Sequence, residues 1–84
     1  MANNLWDEKY QAFVATLKKL RTDRNINQTD LAGRLGKPQS FVSKYESGER
    51  TLDFIETLAV CEILEVSTDE LLEMYKEKLE SVQR

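Results

Sequence analysis

Residues 39 to 44 read Gln-Ser-Phe-Val-Ser-Lys, and four of the six carry hydrogen-bonding side chains. A glutamine amide offers a donor and an acceptor side by side, a serine hydroxyl offers either, and an ammonium group only donates. These are the groups that pair with base edges in a DNA major groove: Gln with adenine, Lys with guanine, Ser with either. Phe41 adds a ring that could touch a thymine methyl group. The residues of covalent and metal chemistry are scarce by comparison. There is no histidine and no glycine-rich phosphate loop, and the single cysteine, Cys61, sits in the apolar run Leu58-Ala59-Val60-Cys61, where a buried thiol is expected. With the usual bases, nucleophiles and ligands missing, the Asp and Glu residues read as solvated helix faces. Neither an enzyme nor a cofactor or metal site is expected.

A groove-reading segment needs a rigid scaffold, and the spacing of apolar residues supplies one made of helices. Trp6, Tyr10, Phe13, Val14, Leu17 and Leu20 recur at steps of three and four, which predicts a helix from Leu5 to Asp23. Asn25 can take the left-handed conformation that ends it, and Asn27 can cap a second helix with Asp30 favourably placed at its start. That helix is expected over Gln28 to Leu35, with Leu31, Ala32 and Leu35 inward and Gly36 as its stop. Pro38 is expected to open a third helix, running to Ser47 and closed by Gly48, with Val42 and Tyr45 inward and Gln39, Ser40, Ser43 and Lys44 outward. Two helices joined by so short a link must turn sharply, as in a helix-turn-helix. A fourth helix is expected from Leu52 or Asp53 to Leu64; it is apolar nearly all round, with Ile55, Leu58, Ala59 and Cys61 expected to be buried. Ser67-Thr68-Asp69-Glu70 has the form of a capping box and predicts a fifth helix carrying Leu71, Leu72, Tyr75, Leu79 and Val82 along one stripe.

Length and composition fit this reading. Eighty-four residues with three glycines, one proline and 32% charged residues suit one all-α domain over residues 1–84 and not a sandwich or barrel. No apolar run approaches the roughly 18 residues a membrane span needs, and no signal peptide is evident, so a cytoplasmic, nucleoid-associated protein is expected. The net charge of −3 hides a division: residues 1 to 50 hold nine Lys/Arg against six Asp/Glu, while residues 51 to 84 hold three against nine. A phosphate-facing surface is therefore expected in the first part, with the acidic remainder turned to solvent or to another subunit.

The run Gln28-Thr29-Asp30-Leu31-Ala32, then Gly36, then Pro38-Gln39-Ser40-Phe41-Val42-Ser43-Lys44-Tyr45-Glu46-Ser47-Gly48 resembles the XRE family, the helix-turn-helix family of phage repressors and Cro proteins. The resemblance covers about residues 17 to 72. It implies a five-helix, lambda-repressor-like domain that dimerises and binds palindromic operators on double-stranded DNA to control transcription. Carried over position by position, it implies that Gln28 contacts a phosphate and braces the reading helix, and that Gln39, Ser40 and Lys44 face base edges, with Phe41 and Ser43 as adjacent candidates that contact either base edges or the DNA backbone. It also implies a structural ion pair between Arg21 and Glu46, buried or exposed. The sequence departs from the family pattern at Asn25, where Gly is usual, and at Pro38, where Ser or Thr often caps the helix.

Arg24, Arg34, Lys37, Arg50 and Thr51 are candidate phosphate contacts, which position a protein on DNA without reading it. A homodimer is expected, its seam formed by Leu72, Tyr75, Leu79 and Val82 within residues 67–84, with Trp6 and Tyr10 adding to it. A rival reading is an antitoxin or adaptor whose main partner is a protein, such as a toxin or a polymerase.

Overall fold

In a computed structural model of the protein, described over the backbone of residues 5–82 and the side chains of residues 8–81, the chain forms five helices. These are α1 (Leu5–Asp23), α2 (Gln28–Leu35), α3 (Gln39–Ser47), α4 (Phe54–Leu64) and α5 (Thr68–Val82). The side chains of Trp6 and Val82 lie outside the described residues.

Local chemistry explains most boundaries. The Asn27 side chain accepts from the Asp30 amide at 2.8 Å, satisfying one of the free N–H groups that every helix start leaves. Asn25 takes a left-handed φ of 57° after α1. Gly36 (φ 71°) and Gly48 (φ 88°) end α2 and α3 in the same left-handed region, which costs a glycine little. Ser67 accepts from the Glu70 amide at 3.0 Å at the start of α5.

Two boundaries differ from the expectation. Pro38 does not open α3 from within; it occupies the N-cap position in extended geometry, with no side-chain cap, and only its carbonyl enters the helix, accepting from Phe41. α4 begins later than expected, at Phe54, because Asp53 caps it. The Asp53 carboxylate accepts from the Glu56 amide at 2.7 Å and Glu56 returns the bond to the Asp53 amide at 3.0 Å, a reciprocal capping box.

Val14, Leu17 and Leu20 of α1 meet Leu31, Val42, Tyr45, Val60 and Leu64 in one core, all of them essentially inaccessible to solvent. Each such aliphatic side chain contributes on the order of 1.5–3 kcal/mol by leaving water. α5 lies along α1, and α2 packs against both α3 and α4. The expected burial of α4 needs correction. Its core face is Val60, Cys61 and Leu64; Leu58 and Ala59 are half-buried, and Ile55 stands in solvent together with Phe54.

Candidate nucleic-acid interface

The outer face of α3 follows from its inner one. Val42 and Tyr45, three residues apart, are fully buried, which turns Gln39, Ser40 and Lys44 to solvent and leaves Ser43 half-buried. Phe41 does not join that face. Its ring is only 8% exposed and packs edge-on to Tyr45 at 5.8 Å between centroids, so it is corrected from a base-reading candidate to a core residue. Two cations cover the ring's remaining surface: Lys37 Nζ at 5.5 Å and the Arg50 guanidinium at 4.6 Å from its centroid.

Behind the exposed face runs a chain of polar contacts through three helices. Arg21 of α1 donates to both carboxylate oxygens of Glu46 near the end of α3, at 2.7 and 2.9 Å, and to the Ile26 carbonyl at 2.8 Å. The two side chains are 8% and 3% exposed, so this is a buried, bidentate pair. Its hydrogen bond to Glu46 raises the pKa of Arg21 further above its already high value. Glu46 also accepts from Gln28 Nε2 at 2.9 Å, and Gln28 Oε1 accepts from Gln39 Nε2 at 2.7 Å. A carboxylate can only accept, so it obliges Gln28 to present its NH2 group to Glu46 and its oxygen to Gln39. Gln39 must then answer with its own NH2 group. One N–H and the oxygen of the exposed Gln39 side chain make no bond to the described residues.

The loop after α3 is held just as firmly. Arg50 donates to both oxygens of Glu56 at 3.0 Å and to the Thr51 carbonyl at 3.0 Å, and this bonding holds the Glu56 carboxyl below its usual range. Tyr10 of α1 donates its hydroxyl to the Arg50 carbonyl at 3.0 Å and accepts from the Leu52 amide at 3.1 Å. Tyr10 and Glu56 are two residues the sequence reading did not assign to this surface. The Asp53-x-x-Glu56 spacing was the available signal for Glu56; nothing local marks Tyr10 as a partner of this loop.

Among the other candidate phosphate contacts, Lys37 and Thr51 are exposed beside α3 and its loop. Arg24 and Arg34 lie elsewhere, lining a cleft with Ile26, Ile63, Leu64 and Glu65 that includes no residue of α3. Arg34 is paired with Asp30 of its own helix at 3.2 Å. Burial pushes the Cys61 thiol above its ordinary pKa, which keeps it protonated and a poor nucleophile. No group of His, Cys, Asp or Glu among the described residues is arranged to hold a metal ion, and no described helix is long and apolar enough to cross a membrane.

Five helices among the described residues, with α2 and α3 set as a helix-turn-helix and a polar, exposed face on the second, define a helix-turn-helix domain. Residues 17–71 match the helix-turn-helix family model, and the chain belongs to that family, in its XRE type. It is 35% identical over 60 residues to an uncharacterized HTH-type transcriptional regulator, YqaE, of Bacillus subtilis (strain 168), a match that takes in 71% of this chain and 52% of that protein. The chain thus spans about half the length of that curated relative. Among solved structures it is similar to an XRE-family like protein from Pseudomonas syringae pv. tomato str. DC3000, with 42% identity, a TM-score of 0.73 and coverage of 90% and 88% of the two chains. The clp gene regulator ClgR from Corynebacterium glutamicum shares the fold at 21% identity, with a TM-score of 0.80 over 89% of this chain and 79% of that one.

Proposed function

We propose that the chain is a sequence-specific DNA-binding repressor that lays the start of α3 in the major groove of an inverted-repeat operator, as a homodimer. The observation that carries this reading is the fixed polarity of the Glu46–Gln28–Gln39 chain. Gln39 is left with one donor and one acceptor side by side. That pair matches adenine, whose major-groove edge offers an acceptor at N7 and a donor at N6, and mismatches guanine, whose N7 and O6 both accept. Ser40 and Lys44 flank it on the exposed face, and Lys37, Arg50 and Thr51 border it as phosphate contacts. All of these residues but Thr51 lie in the basic first part of the chain, residues 1–50.

Selection from a randomised duplex pool at about 0.1 M salt tests the proposal. The expected result is an enriched palindrome whose half-sites lie about 34 Å apart and are bound at about 10⁻⁸ M or tighter. Failure to enrich any sequence would move the function to a protein partner.

A further inference from the structure

Between α3 and α4 nearly every backbone donor is used within the protein. The N–H groups of Gly48, Glu49 and Arg50 bond the Tyr45 and Lys44 carbonyls in the last turn of α3, at 2.9–3.2 Å. That of Leu52 bonds the Tyr10 hydroxyl, and that of Asp53 bonds the Glu56 carboxylate. Thr51 keeps an N–H with no partner among the described residues; the residue is exposed, and its hydroxyl bonds none of them either. We infer that Tyr10 is a positioning residue for DNA binding, whose hydroxyl fixes the Arg50–Thr51 peptide so that the Thr51 N–H meets a backbone phosphate. The inference rests on the DNA-binding function proposed above and adds to it the atom through which Thr51 acts and the residue that aims it.

The orientation follows from the peptide planes. Tyr10 of α1 donates to the Arg50 carbonyl at 3.0 Å. No described peptide bond is cis, so the Thr51 N–H, in the same plane, points opposite to that carbonyl. A carbonyl drawn toward α1 therefore leaves an N–H turned away from it. The Leu52 N–H, 3.1 Å from the same hydroxyl, fixes the next plane in the same way and turns the Thr51 carbonyl outward. There it accepts from Arg50 Nη1 at 3.0 Å. One hydroxyl thus sets both a free donor and the carbonyl on which the Arg50 guanidinium rests.

The donors so placed suit a phosphate. A carbonyl that accepts a hydrogen bond polarises its peptide and strengthens the N–H at the other end. The Thr51 hydroxyl stands on the same residue, and Arg50 has two N–H groups left of its five, since Thr51 takes one and Glu56 takes two. Glu56 offsets the charge of Arg50, so neutral donors carry more of the contact here than a bare cation would. The seat also adjoins the reading helix, for the Arg50 guanidinium lies 4.6 Å from the centre of the Phe41 ring. α1 holds the loop at a second point: the Gln11 side chain lies so close to Gly48 that a Cβ there would stand 2.5 Å from Gln11 Nε2. Tyr10 is itself steadied by the Phe13 ring, 5.7 Å away between centroids.

Titration of the full chain against its selected duplex and an unrelated one at about 0.1 M salt, with amide NMR spectra of the free and bound protein, tests the inference. Tyr10→Phe removes one oxygen and keeps the ring. It is expected to weaken binding to both duplexes by roughly 3- to 10-fold and to leave the ratio between them unchanged. The Thr51 amide proton should move downfield when the wild type binds, and should not in Tyr10→Phe. Thr51→Val, which keeps the N–H and loses the hydroxyl, should retain that shift. Affinity equal to wild type in Tyr10→Phe overturns the inference, even if the variant melts lower, because the hydroxyl then serves the fold alone. A Thr51 amide unmoved by DNA in the wild type, or a loss confined to one sequence, overturns it as well. Thr51→Pro, which deletes the N–H itself, serves if Tyr10→Phe loses helicity, and wild-type affinity in that variant is equally fatal. A wild type that binds no duplex removes the DNA reading and this role together, whereas tight duplex binding that Tyr10→Phe leaves intact removes this role alone.

Discussion

Gln39 Nε2 lies 2.7 Å from Gln28 Oε1, so the first residue of α3 is held by the first residue of α2. Gln28 is held in turn by Glu46, and Glu46 by Arg21. A side chain that would otherwise sample several rotamers is thereby presented in one orientation, and the entropy cost of ordering it falls on folding and not on DNA binding.

Gln28→Ala should therefore act through Gln39. Removing the bond is expected to weaken specific binding by about 0.5–1.5 kcal/mol per half-site and to relax preference at the same base position that Gln39→Ala relaxes. Titration of both single variants and the double variant against one duplex should give a coupling energy of at least about 0.5 kcal/mol. Additive losses would mean that Gln28 acts independently of Gln39.

Arg21→Ala should be severe. It leaves the Glu46 carboxylate buried without its partner, a loss of about 3–5 kcal/mol, which in a domain this small lowers the melting temperature by at least about 12 °C. A thermal melt within a few degrees of wild type would show that the pair is not the buried brace described above.

Tyr45→Phe should be harmless or helpful. The Tyr45 ring is fully buried, burial raises its hydroxyl pKa well above the ordinary value, and the hydroxyl has no hydrogen-bond partner among the described residues. An unpaired buried hydroxyl costs roughly 1–3 kcal/mol, so replacing it with hydrogen should leave the melting temperature unchanged or raise it. A clear drop would show that the hydroxyl is satisfied.

The Arg50–Glu56 pair should show in pH dependence. The Arg50 bond and the capping bond to Asp53 hold the Glu56 pKa below its unfolded value, so its contribution is fully present above that unfolded value and is lost as pH falls through the lower folded one. Wild type should thus exceed Glu56→Gln in stability at neutral pH, and the two denaturation curves should converge in acid. Curves that stay apart at low pH would assign the difference to something other than this carboxylate.

Much of the fold was legible because its signals are local. Asn27, Gly36 and Gly48 mark helix ends through groups within three or four residues, and Val42 with Tyr45 fix the inner face of α3 by spacing alone. α4 was harder: apolar residues surround it, so periodicity could not say that Phe54 and Ile55 turn outward and Val60 inward. Phe41 was misplaced for a related reason, since its ring packs against Tyr45 in the core and Lys37 and Arg50, from either side of α3, cover what remains of it. The polar chain from Arg21 to Gln39 joins three helices across up to 25 residues in a single contact; the resemblance implied its Arg21–Glu46 pair and the bracing role of Gln28, and the bonds joining Gln28 to Glu46 and to Gln39 come from the assembled fold alone.

The most direct test of the central claim is duplex selection repeated with Gln39→Ala beside the wild type. The account predicts an adenine at one fixed position in each half-site for the wild type, lost in Gln39→Ala with about 1–3 kcal/mol of discrimination while the neighbouring positions keep their preference. An unchanged preferred sequence and affinity would contradict it, and would mean that α3 does not read bases through Gln39.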